Sequence, residues 1–411
     1  MKQIVLLLLG ICAVLTACSD TKKVAPKEGR IAVISEKELE KSSQKIRLND
    51  SVSITQWAGP NANARNKIPA VSLSKATPSW KAKGASGRSK NGLPLPPPVV
   101  INNTVYTLDS DSVLMAHQVQ DGTKIWRADS NLKGVGVGLT ASPQLVVSVN
   151  EYGTVIAFDP KGKKIWQREL NTPFRNSPLL ADGNLYLLSS GNDFLVLDVK
   201  TGNQKWHYKT NGSQTLLQGM GRPAVGDRVV VVPFSTGEVV AFDAQNGTLL
   251  WSQDLVGKKV FDAIASLPQM NASPVIEDGI VYLVGHGEQT MAVHLKTGES
   301  LWRLPRGGKT TPFVNGNALF FVDNQNHLLA LDKATGRLFW ETSLGQGTWK
   351  GPYLIDKNLV LFSDEKGILV NLKDGSFNDI KKRIEGSFPA ITNKGIFFLG
   401  DNGHLYHWEK I

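Results

Sequence analysis

Cysteine is nearly missing: the 411 residues hold two, at positions 12 and 18. Beyond residue 18 the chain has no thiol for a disulfide, a thiolate metal site or a nucleophile. Histidine is sparse as well, and the seven present, at 117, 207, 286, 294, 327, 404 and 407, are scattered. His404 and His407 share one strand-like run, but a separation of three puts their side chains on opposite faces, which argues against a common metal. No apolar run after the first seventeen residues approaches the ~20 that a membrane-crossing helix needs. A nucleophile elbow and a phosphate loop are also lacking. The glycines of Lys133-Gly134-Val135-Gly136-Val137-Gly138 are not followed by a helical pattern, so a loop accounts for them better than a nucleotide site. There is no dense Lys/Arg block either. The formal charge of +10, which falls to +9 without Lys2, is spread over 46 basic and 36 acidic residues. That balance fits a solvated surface near anionic lipid better than a nucleic-acid binder.

The first segment sets the compartment. Lys2 precedes an apolar core from Ile4 to Leu15, and Leu15-Thr16-Ala17 then gives way to Cys18. Residues 1–17 thus have the layout of a secretory signal, too short to span a bilayer. The run Leu15-Thr16-Ala17-Cys18 resembles a bacterial lipobox, which implies that Cys18 is acylated. Two or more acyl chains make anchoring stable, since each buried CH₂ contributes about 0.8 kcal/mol. Ser19 follows where an aspartate would hold such a lipoprotein at the inner membrane, so the resemblance points to the periplasmic side of the outer membrane. Residues 18–52 are rich in Lys, Glu and Ser and poor in large apolar residues, and read as a tether with a short helix at Glu36 to Lys41.

The body repeats. Ala157-Phe158-Asp159 runs through Gly162 to Trp166; Leu197-Asp198 runs through Thr201-Gly202 to Trp206; Ala241-Phe242-Asp243 runs through Gly247 to Trp251. Further copies hold Thr297-Gly298 with Trp302, Thr335-Gly336 with Trp340, and Gly122 with Trp126. Tryptophans 80, 126, 166, 206, 251, 302 and 340 are 46, 40, 40, 45, 51 and 38 residues apart. Four short strands per unit at this spacing predict a β-propeller. In each unit the glycine supplies a turn with φ > 0 and the tryptophan on the outer strand seals one blade against the next; Asp159, Asp198, Asp243 and Asp332 cap that turn where the copy has an aspartate, which the Gly122 copy lacks. Six tryptophans close six units, and a seventh, from Gly351 to about Ile380, has Phe377 in place of tryptophan. The tail then holds three strand-like runs: Phe388 to Ile391, Ile396 to Leu399 and His404 to Trp408. Trp80 has no strands of its own before it. Residues 53–411 are therefore expected to form an all-β, eight-bladed propeller of four-stranded blades, closed by the N-terminal strand at Trp80 pairing with the C-terminal blade.

The unit Ala-x-Asp-x-x-Thr-Gly-x-x-x-Trp is similar to the repeat of the quinoprotein dehydrogenases, whose eight blades hold pyrroloquinoline quinone. With its lipobox, tether and propeller the chain more closely resembles the BamB family, lipoproteins of the outer-membrane β-barrel assembly machinery. The dehydrogenase resemblance implies a quinone, Ca²⁺ held by Glu, Asn and Asp, and a vicinal cysteine pair, which is absent. The BamB resemblance implies no cofactor and no catalysis. It implies a monomer working inside a complex, bound to the periplasmic domains of a BamA-like partner through loops on one side of the ring, with unfolded outer-membrane proteins as a second class of ligand.

Two stretches break the repeat. The first is Thr215 to Arg222, where Leu216, Leu217, Gln218, Gly219, Met220 and Arg222 resemble the family's contact loop, with Gln218 at the position of its arginine. The second lies in the long gap before Trp302, where Phe261, Asp262, Leu267 and Gln269 cluster in an insertion, an arrangement suited to an exposed contact. The opposing reading is that Leu216, Leu217, Phe261 and Leu267 plug the central channel. The segment Trp57 to Asn66, small and polar, either caps the channel or faces a partner. If Cys18 is the anchor, fatty-acid labelling marks the wild type but not Cys18→Ser, and the variant moves from the membrane to the soluble fraction. Unchanged fractionation of Cys18→Ser contradicts anchoring.

Overall fold

The computed structural model describes residues 39–74, 78–87, 93–129, 134–210, 221–255, 272–285 and 289–411. The chain divides into a first unit, Met1–Leu39, and a second, Glu40–Ile411, which carries every strand among the described residues. None of the described residues is helical. Thirty-two strands among them form eight antiparallel four-stranded sheets, the blades of a propeller. Blade 1 spans 99–129, blade 2 136–169, blade 3 179–209, blade 4 224–254, blade 5 275–304, blade 6 313–343 and blade 7 350–380. Blade 8 takes three strands from 390–408 and its outermost from Trp80–Lys83. There Trp80 stands opposite His407 and Lys83 opposite His404, so the N-terminal strand closes the ring as expected.

Each blade is sandwiched between two others, and this explains its composition. Middle strands such as Val229–Pro233 and Ala318–Val322 are buried along their whole length and read as unbroken apolar runs. Outer strands such as Gln204–Lys209 alternate, because one side meets water.

The tryptophan of each outer strand lies against the turn glycine of the next blade. Trp80 meets Gly122, Trp126 meets Gly162, and the pattern runs on to Trp340 on Gly375. These seven glycines have φ between +70° and +85°, and a Cβ on any of them would stand 2.5 to 2.8 Å from the ring. Both the backbone angle and the ring demand glycine. The indole N–H then donates to a carbonyl at the same turn, as from Trp166 to Val199 at 3.0 Å and from Trp302 to Lys333 at 2.9 Å. Trp206 keeps its place on Gly247, but its nitrogen is buried without a partner. The repeat aspartates cap these turns: Asp159 Oδ1 accepts from the Lys161 and Lys163 N–H groups at 2.9 and 2.8 Å. The eighth seam, from blade 7 to blade 8, is built differently. Trp408 packs on Phe362 at 5.9 Å, with Lys382 Nζ 4.7 Å from its ring centre.

Antiparallel alternation assigns the connections to two faces. Turns between the first and second and between the third and fourth strands lie on one face, the turn face. Links between blades lie on the other, the loop face. Residues 40–52 belong with the propeller rather than to a tether, which moves the boundary expected at residue 52. Leu338 N–H donates to Glu40 O at 2.8 Å, the Asn317 side chain accepts from Arg47 N–H at 2.7 Å, and Val71 pairs with Ile355. The part of the expected helix that is described, Leu39 to Lys41, is extended instead, because its backbone bonds go to blade 6.

Replacing Gly336 by valine puts a branched side chain against Trp302 in a left-handed conformation. A loss of about 2 kcal/mol or more is expected in urea unfolding. A neutral result would show that the seam tolerates a side chain at this turn.

Candidate docking face

The segment Trp57 to Asn66 fills the channel. Trp57 is fully buried, donates its N–H to Val100 O at 2.6 Å and accepts from Val100 N–H at 3.0 Å. Ala58 O accepts from Ala141 N–H, Ala64 O from Val225 N–H and Arg65 O from Ile276 N–H, at 3.1, 2.8 and 3.0 Å. Carbonyls of one short segment thus satisfy the inner edges of blades 1, 2, 4 and 5, which no water-exposed neighbour could reach. Small residues make this possible: Gly59 lies directly against the Arg222 guanidinium, with no room for a Cβ. Of the two uses open to this segment on sequence, the structure supports the cap.

The described ends of the two stretches that break the repeat, an outer strand before each and an inner strand after it, lie on the loop face. Residues 211–220 join blade 3 to blade 4, and 256–271 join blade 4 to blade 5. Leu216, Leu217, Gln218, Gly219, Met220, Phe261, Asp262, Leu267 and Gln269 lie outside the described residues. The return ends are described, and they meet. Arg222 N–H donates to Ser273 Oγ at 3.0 Å, and Asn66 Nδ2 donates to Pro223 O and Pro274 O, both at 3.0 Å. Asn61 Nδ2 reaches the same Ser273 Oγ at 3.0 Å. Gly221 packs on Ala272 too closely for a side chain.

Arg222, expected on the docking surface, is 3% exposed and points inward. Its Nε and Nη2 donate to Asn66 Oδ1 at 3.1 and 2.8 Å, and Nη2 also to Asn63 O at 2.8 Å. Burial against neutral acceptors pulls the guanidinium down to about 9, so it is charged at neutral pH and held by hydrogen bonds to amide oxygens. The physical reason is geometric: the first residues after the loop descend into the channel, where Asn66 waits. Asn66, which sequence reading left unassigned, is fully buried at φ 53°, a conformation asparagine tolerates better than most. The sole sequence signal for it is its place in a small, polar, strandless segment.

Among the described residues no three His, Cys, Asp or Glu side chains converge as metal ligands. His407 is occupied structurally, its ring nitrogens 3.1 and 2.8 Å from Pro78 O and Lys394 O, where burial lowers its pKa.

A family model described as Outer membrane protein assembly factor BamB matches residues 109–342, more than half of the chain. The chain belongs to the BamB family. BamB of Yersinia pestis is 26% identical over 324 residues, covering 75% of this chain and 82% of that protein. The crystal structure of BamB from Moraxella catarrhalis superposes with a TM-score of 0.68 at 18% identity, over 78% of this chain and 98% of that one. A quinohemoprotein alcohol dehydrogenase from Pseudomonas putida HK5 reaches a TM-score of 0.67 at 11% identity, over 87% and 81%. The two scores are nearly equal, so backbone likeness alone does not separate BamB from the dehydrogenases. The family match does.

Removing the Asn66 side chain strands the Arg222 cation. Asn66→Ala is expected to cost about 3 kcal/mol in urea unfolding, and Asn66→Asp is expected to destabilise as well, because a carboxylate oxygen in place of Nδ2 faces the Pro223 and Pro274 carbonyls with no proton to donate. Equal stability of Asn66→Ala and wild type would remove the network's structural role.

Proposed function

We propose that the chain is a non-catalytic assembly factor for outer-membrane proteins. It is anchored through Cys18 on the periplasmic side of the outer membrane and holds the periplasmic domains of a BamA-like partner on the loop face of blades 3 to 5. The relatives' names supply the assembly role. The observation that supports the docking site is the meeting of the two return ends: the residues that follow the two insertions share one anchored base, Arg222–Asn66–Ser273. A rigid base lowers the ordering cost that a bare loop incurs on binding. Residues 45–49 contact the opposite, turn face, where Arg47 N–H donates to Asn317 Oδ1. Catalysis is disfavoured because the sequence has no vicinal cysteine pair and the matching family model is that of an assembly factor.

The residues proposed to touch the partner are Leu216, Leu217, Gln218, Gly219, Met220, Phe261, Asp262, Leu267 and Gln269. Arg222 supports them from beneath. A few buried anchors carry most of a protein interface. Changing Leu216 and Leu217 together to alanine, or Leu267 to glutamate, is therefore expected to weaken co-purification with the BamA-like partner by roughly tenfold or more while the melting temperature holds. Early melting of these variants would assign the leucines to the channel. Full binding by stable variants of both loops would place the partner elsewhere. Saturable quinone binding with alcohol-dependent dye reduction would overturn the non-catalytic reading.

A further inference from the structure

The residue that pairs with each seam tryptophan, on the third strand of its own blade, follows a rule. Ala116, Ala157, Val196, Ala241, Ala292 and Ala330 hold this position in blades 1 to 6. Blade 8 breaks the rule, with His407 opposite Trp80. The next residue along the third strand follows a rule as well: Phe158, Leu197, Phe242, Val293 and Leu331 hold it in blades 2 to 6. Blade 1, on which Trp80 packs, breaks that rule with His117. Both exceptions therefore fall at one seam, the one where the N-terminal strand closes the ring.

Both imidazoles are buried. The His407 ring stacks on Trp80 at 5.2 Å and lies 4.7 Å from Phe397, with its nitrogens on Pro78 O, at the entry to the closing strand, and on Lys394 O. His117 Nδ1 is 3.1 Å from the carbonyl of Gly122, the glycine on which the Trp80 ring lies. A carbonyl only accepts, so Nδ1 carries the proton and Nε2 is bare. That Nε2 is buried without a partner among the described residues. Val105, opposite His117, shares an apolar cluster with Phe397 and Leu405 of blade 8, so the imidazole is turned towards the closing blade.

A second proton on His117 places an N–H without an acceptor, and a charge, inside an apolar seam. Burial therefore holds the His117 imidazole below the ordinary histidine range, and Lys124 across the bulge adds its repulsion. Burial lowers His407 too, outweighing the Lys394 and Pro78 carbonyls and Glu409, which favour its charged form. Of the other charged groups nearby, Asp121 in the Gly122 turn is exposed, and Lys81 and Lys83 alternate to the opposite face of the closing strand from Trp80. Every other outer strand is tied to its blade by a short hairpin. The closing strand is held by pairing and packing alone, 329 positions from Pro78 to His407.

We propose that this seam is an acid-operated latch: protonation of His117 and His407 frees the strand Trp80–Lys83 from blade 8 and opens the ring between blades 8 and 1. The unfolded or released segments take up these protons near the ordinary histidine value of about 6.5, the closed seam only at lower pH. The stability that the neutral imidazoles lend to closure is thus whole above about pH 6.5 and is lost as pH falls from there towards the closed-state values. Release leaves blade 8 with three strands and an open edge.

Amide hydrogen exchange of the Cys18→Ser protein from about pH 7.5 to about 5.5, corrected for the intrinsic pH dependence of exchange, tests this. Protection of Trp80–Lys83 is expected to fall roughly tenfold or more relative to Lys164–Glu169, the outer strand of blade 2. His117→Phe, which installs the residue that blades 2 and 4 carry, is expected to lose most of this pH dependence, and His117→Phe with His407→Ala to lose all of it. If the double variant melts early, the single variant decides. Equal loss of protection in both strands, protection of the closing strand that does not change with pH, or an undiminished pH dependence in stably folded His117→Phe overturns the proposal.

Discussion

An indole laid on a glycine turn holds the ring together. A four-stranded sheet with two apolar faces cannot stand alone in water, so every blade needs a neighbour on each side. The tryptophan supplies most of the contact, with about 150–250 Å² of its surface removed from water. The glycine supplies the room, since any Cβ would enter the ring. Because the same turn also receives the indole N–H and is capped by its own aspartate, as at Trp166, Val199 and Asp198, one short stretch of sequence settles turn shape, blade spacing and blade order at once. The eighth seam shows the dependence from the other side. Blade 8 has no final hairpin to carry such a glycine, because its last strand comes from the N-terminus, and Trp408 with Lys382 replaces the motif.

This construction divides the molecule by face. Turn-face geometry is constrained by the seams, so it varies little from blade to blade. Loop-face links carry no seam and can lengthen at small entropic cost. The chain uses that freedom between blades 3 and 4 and between blades 4 and 5, and it fastens both returns to one buried point. A cationic Arg222 at that point is costly in isolation, yet Asn66 and Asn63 give it acceptors and Asn66 ties in two further carbonyls. The result is a stiff base beneath the two insertions.

The sheet edges follow a different logic. A ring removes the edges between strands of one circle but leaves each blade's outermost strand open. Polar residues two before the tryptophan protect four of these edges, and a piece of the chain's own N-terminal segment protects a fifth.

Much of this was legible in the amino-acid order. Tryptophan spacing, the Thr-Gly turns and the orphan Trp80 determined blade number and ring closure, because those features act over a few residues and repeat, so each copy checks the others. The lipobox-like start and the two interruptions of the repeat were legible for the same local reason. Tertiary structure decided what depends on distant partners. Residues 40–52 look like a tether until Asn317 and Leu338, far along the chain, are found to bind them. Arg222 looks like a surface charge beside a loop until the channel brings Asn66 to it across 156 positions. Leu338 stands at an address where four other blades hold polar residues, and only the tertiary structure shows that Glu40–Ser42 covers it. Composition and period report what a residue needs; which distant group meets that need is fixed only when the ring has closed.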